Sequence, residues 1–186
     1  MADTSQPTVF DYASPTTWRI RFARIPKVEW FCTNVNLPGI SLGEALYPTP
    51  MLDTYLTGDK LTFETLEMTF LVDEELQNYR QLWDWMVGIG APKNHNQFSA
   101  QLGEGSNPTS YSPTEKGTTP SEGGLYDEAT LIIYNSKNIA KVQIKFKDIF
   151  PTNLSGLSYM QDATDVDYFR ADASFRFLYY EFETST

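Results

Sequence analysis

Alternating apolar and polar residues predict strands along much of the chain. Trp18, Ile20 and Phe22 alternate with more polar neighbours, which is the period of a half-buried strand. Residues 28–32 form a second apolar run, and residues 25–27 are short enough to join the two runs as a hairpin. We therefore predict a first β-hairpin over residues 18–32.

The strongest strand pattern covers residues 61–72, where Leu66, Met68 and Phe70 share one face. Leu61 and Phe63 are at odd-numbered positions, so in an unbroken strand they would lie on the face opposite to Leu66, Met68 and Phe70. A β-bulge near residue 64 would reconcile the two halves, because a bulge inserts one extra residue into a strand.

The hydrophobic period then becomes that of a helix, which we predict from Glu74 to Val87, with Asp73 as its N-cap. Four apolar residues recur at helical spacing and form the face expected to pack on the sheet: Leu76, Tyr79, Trp83 and Met86. This is the single helix that the pattern predicts with a clear start and stop.

The C-terminal third again predicts strands. Residues 129–134 and 141–147 read as an antiparallel hairpin with its turn at residues 135–138. Residues 167–183 then predict one long strand of roughly 55 Å at about 3.3 Å per residue. A strand of that length must either bend or have its end covered by a partner.

The segment between Gly43 and Lys60 holds more apolar residues than an ordinary solvated loop. Pro48 and Pro50 exclude it from the centre of a sheet, so we expect a loop or an edge hairpin. It either folds onto its own domain or contacts a neighbouring subunit. The contact candidates, here and in the last strand, are Leu46, Tyr47, Met51, Leu52, Tyr55, Leu56, Leu178, Tyr180 and Phe182.

Composition bounds the domain organisation and the partners. The chain has 186 residues and a net charge of -10, which argues against a protein that grips DNA but not against one that lets DNA pass. We expect an arm at residues 1–17, one domain at residues 18–186, and a flexible insertion at residues 88–124. No stretch predicts a secretory signal or a membrane span, so we expect a soluble chain with no membrane partner.

The residues that could perform catalysis are few. His95 lies in the predicted flexible insertion, and Cys32, in an apolar run, has no second cysteine to pair with, which fits a reducing compartment. The acids Asp162, Asp165 and Asp167 lack the spacing of a calcium loop. We therefore expect no catalytic residue, cofactor or metal, and a structural or interaction protein rather than an enzyme.

A basic cluster has two interpretations. Its members, which alternate along one predicted strand and its turn, are Lys137, Lys141, Lys145 and Lys147. They either form a solvated face that discourages edge aggregation or a salt-bridge surface facing an acidic neighbour.

Two stretches, in this order and spacing, resemble the tail tube proteins of T-even-type contractile bacteriophages. The first runs from Gly58-Asp59-Lys60 through the strand to the helix with Trp83-Asp84-Trp85. The second is Ile149-Phe150-Pro151-Thr152-Asn153-Leu154, followed by the aromatic C-terminal strand. The resemblance spans residues 18–182, except for the insertion.

The resemblance implies a mainly β fold: an antiparallel sandwich or half-barrel with one flanking helix. It implies that six copies form a ring whose sheets join into a β-barrel, and that stacked rings form a tube. Type VI secretion tubes are related. The implied partners are further copies of the chain, sheath, baseplate and neck proteins, and DNA or a tape measure protein passing through the lumen. The implied location is a virion tail assembled in the host cytoplasm.

Two other functions stay open. A baseplate tube-initiator or a tail-terminator would have the same fold. A carbohydrate-binding β-sandwich or a hydrolase would use Trp18, Trp30, Trp83 or Trp85 as sugar platforms, although Trp83 and Trp85 do not share a helix face.

Overall fold

The computed structural model describes residues 12–90, 92, 125–161 and 168–184. The first eleven residues of the predicted arm, most of the predicted insertion with His95, and Asp162, Asp165 and Asp167 lie outside the described residues. The elements follow in chain order: β1 (Trp18–Phe22), α1 (Pro26–Phe31), β2 (Cys32–Val35), β3 (Ile40–Tyr47), β4 (Thr54–Phe63), β5 (Leu66–Leu71), α2 (Gln77–Gly90), β6 (Asp127–Tyr134), β7 (Ala140–Leu154), β8 (Arg170–Arg176) and β9 (Tyr179–Thr184).

The fold is mainly β and antiparallel, as expected, and the long strand β7 organises it. The first half of β7 lies between β6 and β9, and β1 extends this side as the order β1-β6-β7-β9. The second half of β7 pairs with β8, which continues to β5 and β2. Among the described residues the strands do not close into a barrel, and β1, β2 and β9 are edge strands.

The core lies between these two sheet halves. Phe22 on β1 and Phe175 on β8 place their ring centroids 5.4 Å apart, so the two halves meet through aromatic contact. From α2, Leu82 and Trp85 close one end, and Trp85 reaches within 6.4 Å of Phe175. The predicted faces of β5 and β8 are confirmed: Leu66, Met68, Phe70, Ala171, Ala173 and Phe175 are at most 2% exposed.

The predicted strand at residues 28–32 is wrong, because residues 26–31 form the short helix α1. Pro26 stands at the start of this helix, where the missing N–H of proline costs nothing. Val28 is buried, while Trp30 and Phe31 are exposed. The fold therefore has two helices and not one.

Helix α2 begins three residues later than predicted and turns a different face to the core. Leu76 has a φ of 55°, so the helix starts only at Gln77. The Asp73 carboxylate still accepts the backbone N–H of Asn78 at 3.2 Å. The buried residues of α2 are Asn78, Leu82, Trp85 and Gly88.

Trp83 is consequently not a core residue, because 47% of it is exposed. The predicted stripe started at Leu76, which lies before the helix. The side chain of the buried Asn78 holds the observed stripe in place. Its NH₂ group donates to the Leu71 backbone carbonyl at 2.7 Å, and its Oδ1 accepts from the backbone N–H groups of Asp73 and Tyr79.

Two long predicted strands are each broken into two strands. The bulge expected near residue 64 is a full break, since β4 ends at Phe63 and β5 begins at Leu66 in another sheet. The last strand bends: β8 ends at Arg176 and β9 starts at Tyr179. The Leu178 amide donates to the Lys147 carbonyl at 2.9 Å and so directs β9 onto the first half of β7.

Candidate assembly surfaces

The segment from Gly43 to Lys60 belongs to a hairpin, β3–β4, which forms a two-stranded sheet of its own. All eight residues of β3 are exposed, and eight of the ten residues of β4 are exposed as well. Within the described part of the chain, no other strand pairs with the hairpin. It is therefore an edge hairpin that projects from the body and does not fold onto it.

The base of the hairpin is fixed to the body by polar contacts. The Gly39 amide donates to the Glu64 carboxylate at 3.2 Å, and the Glu64 amide donates to the Gly39 carbonyl at 3.0 Å. From the body, the Tyr180 hydroxyl donates to the Pro38 carbonyl at 3.2 Å. A guanidinium nitrogen of Arg176 donates to the Phe63 carbonyl at 3.3 Å.

An aromatic cluster under this base completes the attachment. The Phe63 ring lies 5.6 Å from the Phe177 ring and 5.3 Å from the Tyr180 ring. Tyr180 also lies 5.6 Å from the buried Phe146. The hairpin direction is therefore set by packing at its base.

One face of the hairpin is predominantly apolar. The register pairs Ile40 with Phe63 and Leu42 with Leu61, and directly opposite residues share a face. Beyond a register shift, Leu46 pairs with Tyr55. Leu46 lies an even number of residues after Leu42, so both side chains are on the same face of β3. Ile40, Leu42, Leu46 and their partners Leu61 and Tyr55 form an exposed apolar row, which the polar pair Glu44–Thr57 interrupts and which ends near the tip, where Met51 is 95% exposed. Phe63 does not belong to this row, because its ring packs in the aromatic cluster.

The register shift depends on glycine. Two additional residues of β4 lie opposite Gly43, and the backbones approach so closely that a Cβ on Gly58 would lie 2.5 Å from the Gly43 carbonyl oxygen. A side chain at Gly58 would thus force the strands apart.

The contact candidates in the hairpin are all at the surface. Leu46, Tyr47, Met51, Leu52, Tyr55 and Leu56 are between 52% and 95% exposed. On β9 and before it, Leu178 is 51% and Phe182 60% exposed. Tyr180 differs, because its ring packs partly buried in the aromatic cluster of its own chain.

The outer face of the sheet β1-β6-β7-β9 is charged. Lys145 forms a salt bridge with Glu183 on β9 at 2.8 Å, and Lys147 forms one with Glu128 on β6 at 2.9 Å. The hydrogen bond that Lys147 donates to the Glu128 carboxylate raises the pKa of Lys147. Two lysines of the basic cluster are therefore paired within the chain, which agrees with a solvated, charge-alternating strand face.

The described residues contain no cluster of metal ligands. No group of three or more His, Cys, Asp or Glu side chains in those ranges could hold a metal ion. Burial raises the pKa of the Cys32 thiol to about 11, so the thiol is protonated at neutral pH. The helices in the described ranges are also too short or too polar to cross a membrane.

The four tryptophans proposed as sugar platforms do not all lie on one surface, although Trp18 and Trp30 line the same open groove. Trp85 is buried, and its indole donates to the Leu125 carbonyl at 3.3 Å. Trp30 is 75% exposed beside an open groove of about 450 Å³, but the Arg19 guanidinium lies 5.1 Å from its ring centroid. Arg19 also forms a salt bridge with Glu29 at 2.8 Å, which holds its guanidinium over the Trp30 ring. One face of Trp30 is therefore covered by Arg19.

Solved structures share this arrangement of strands and helices. The cap that terminates the tube of the anti-feeding prophage matches with a TM-score of 0.59 and 12% identity over 100% of both chains. A chain of the PVC sheath–tube complex, from an extracellular contractile injection system, matches with a TM-score of 0.55 and 12% identity over 100% of both chains. The chain therefore shares the fold of these cap and sheath–tube complex chains.

A third structure with this fold belongs to the PVC sheath/tube terminator, with a TM-score of 0.56 and 14% identity over 94% of this chain and 99% of that one. The chain matches no protein-family model and no curated protein. At identities of 12–14% these likenesses establish the fold, and the role must be argued from the surfaces.

Proposed function

We propose that the protein is a structural subunit of a contractile tail, a tail tube protein that assembles into hexameric rings and stacked rings. The observation that carries this proposal is the projecting hairpin β3–β4 with its exposed apolar row. In a monomer this row stays in contact with water. Its burial against a partner would contribute about 25 cal/mol of favourable free energy for each Å² of apolar surface removed from water. A second copy covers it most directly.

The contact candidates have a defined place in such an assembly. The hairpin residues Leu46, Tyr47, Met51, Leu52, Tyr55 and Leu56 contact the adjacent ring, together with the N-terminal arm. Leu178 and Phe182 contact a neighbour within the ring, and Tyr180 supports them from the aromatic cluster. The sheath, baseplate and neck proteins bind the outside and ends of the tube, in a virion tail assembled in the host cytoplasm.

The tube conducts DNA at ejection, or holds a tape measure protein before it. Charge qualifies this part of the proposal. The outer face of β1-β6-β7-β9 carries five basic side chains (Arg19, Arg21, Lys141, Lys145 and Lys147) against three acidic ones (Glu128, Glu181 and Glu183). A lumen lined by this face would not be acidic, because basic side chains outnumber acidic ones on it.

A terminator or cap of the tube is the second candidate. Two of the matching structures are a tube-terminating cap and a sheath/tube terminator, and the cap aligns over the full length of both chains. A terminator would use the same fold and would form one ring that does not stack. Neither role requires catalysis.

Negative-stain electron microscopy of the purified protein over a range of concentrations tests both candidates. A tube subunit forms stacked rings, whereas a terminator forms single rings at every concentration. A protein that stays monomeric at high concentration would refute both. The carbohydrate-binding alternative would then gain support from specific binding to a glycan array.

A further inference from the structure

The hairpin β3–β4 consists of two paired segments. The base segment pairs residues 40–42 with residues 61–63, and the tip segment pairs residues 44–47 with residues 54–57. Along β3 one residue separates the two segments, whereas along β4 three residues separate them. β4 therefore carries two additional residues at the junction of the segments, which is a β-bulge.

The junction is made of Gly43 on β3 and the run Gly58-Asp59-Lys60 on β4. A Cβ on Gly58 would lie 2.5 Å from the Gly43 carbonyl oxygen, which is a backbone clash. A Cβ on Gly43 would meet its nearest atom, the Lys60 carbonyl oxygen, at 3.4 Å, which is an ordinary van der Waals contact. The bulge therefore requires glycine at residue 58 and has room for a methyl group at residue 43.

A continuous register is less favourable for this hairpin than the bulged one. Extending the register of the base segment would place Glu44 opposite Asp59 and Pro48 opposite Tyr55. Like charges directly opposite one another are destabilising, and proline has no N–H to donate to a ladder. The bulge avoids both pairings, so the sequence specifies it.

We propose that the Gly58-Asp59-Lys60 bulge is a positioning element that aims the tip segment at a neighbouring copy of the chain. A bulge bends the strand that carries it and increases the local twist. The base segment is held to the body by the Phe63 ring and by Glu64. In the described part of the chain, no strand of the body pairs with the tip segment, so its direction is set at the bulge. This inference rests on the proposed function, because the aimed residues are those assigned to the adjacent ring.

The tip segment is long enough for its direction to matter. Tyr47 lies four residues beyond Gly43, which is about 13 Å at about 3.3 Å per residue. A change of direction of about 20° at the bulge would therefore move Tyr47 by roughly 4–5 Å, which is a full van der Waals contact distance. Leu46 and Tyr55, which are 55% and 65% exposed, would then no longer meet their contacts on a neighbouring copy.

Removing the bulge tests the aiming role. Deletion of Asp59 and Lys60 leaves Gly58 opposite Gly43 and joins the two segments into one regular ladder with unchanged partners. The apolar residues stay paired, but the tip segment points in another direction. We expect about a tenfold or greater loss of stacked protein by sedimentation velocity. The thermal melt should stay close to that of the wild type, because the core is unchanged.

The two glycines of the junction provide a matched pair of variants. Gly58→Ala should also reduce stacking by about tenfold or more, because its Cβ pushes the two strands apart. Gly43→Ala should stack like the wild type, because its Cβ fits. Both variants replace glycine with alanine, so their effects on the entropy of the unfolded chain are alike.

A disulfide assay reports the register of the hairpin independently of assembly. In a Cys32→Ser background, Leu46→Cys with Tyr55→Cys should form an intramolecular disulfide on oxidation, because directly opposite residues bring their Cβ atoms close. Leu46→Cys with Thr57→Cys should not form one. The deletion variant should keep the first disulfide. If it loses both stacking and this disulfide, the bulge sets the register only, and the aiming role is overturned.

The outcomes separate this inference from the proposed function. If the wild-type protein is monomeric, the proposed function and the aiming role both fail. If the wild type forms single rings only, the aiming role fails and the terminator candidate stands. If the wild type stacks, and the deletion variant stacks as readily or Gly58→Ala stacks as well as Gly43→Ala, only the aiming role is overturned.

Discussion

Strand β5 and the hairpin β3–β4 have the same kind of sequence and opposite surroundings. In β5, the alternating residues Leu66, Met68 and Phe70 are at most 2% exposed. In β3, the alternating residues Ile40, Leu42 and Leu46 are 51–55% exposed. The alternation specifies which residues share a face, but not what covers that face.

The difference has a structural cause. β5 lies between β8 and β2, and its inner face is covered by the opposite sheet half and by α2. The hairpin leaves the body at Gly39 and returns at Glu64, so no layer of the described chain lies on it. At β5 the hydrophobic effect stabilises the folded monomer. At the hairpin it can act only when another molecule covers the apolar row, and there it would stabilise the association of the two.

The largest expected effect is in the core. Phe175→Ala removes a fully buried ring that contacts Phe22 and Trp85, so we expect a loss of about 3–5 kcal/mol in the free energy of unfolding. Urea denaturation followed by circular dichroism measures it. A loss below about 1 kcal/mol would show that the core is not centred on this ring.

The two tryptophans of α2 give a matched comparison within one helix. Trp85→Ala should cost about 3–5 kcal/mol, because Trp85 is 2% exposed. Trp83→Ala should cost about 1 kcal/mol or less, because Trp83 is 47% exposed. Equal losses in the same urea titration, or a greater loss for Trp83, would contradict the face of α2 described above.

The smallest effect on stability is expected in the hairpin. Leu42→Ser together with Leu46→Ser changes two exposed residues, so the free energy of unfolding should change by about 0.5 kcal/mol or less for each. A decrease of several kcal/mol in a monomeric preparation would mean that the apolar row packs on its own chain. The comparison with β5 would then be invalid.

Local patterns were sufficient for much of the fold. The faces of β5 and β8 and the hairpin β6–β7 followed from alternation, and the turn at residues 135–138 forms as expected, with the Asn135 side chain accepting the Lys137 and Ile139 amides. These features depend on neighbours in sequence. They could be predicted because each residue needs only its own strand or turn to define it.

The remaining features depend on contacts between distant residues. Helix α1 is six residues long and has too few positions to show a helical period, although Pro26 at its start was a usable signal. In α2, the buried stripe includes the polar Asn78, which a hydrophobic pattern does not select. The division of β7 between β9 and β8 depends on two long-range strand registers, and no sequence pattern provides these.

The central claim is that the exposed apolar row of the hairpin is a surface for another copy of the chain. The most direct test compares the wild-type protein with the variant L42S/L46S by sedimentation velocity at matched concentration, with urea denaturation of both. We predict rings or stacked rings for the wild type, and a variant of near-normal stability that no longer stacks. A variant that stacks as readily as the wild type would contradict the claim.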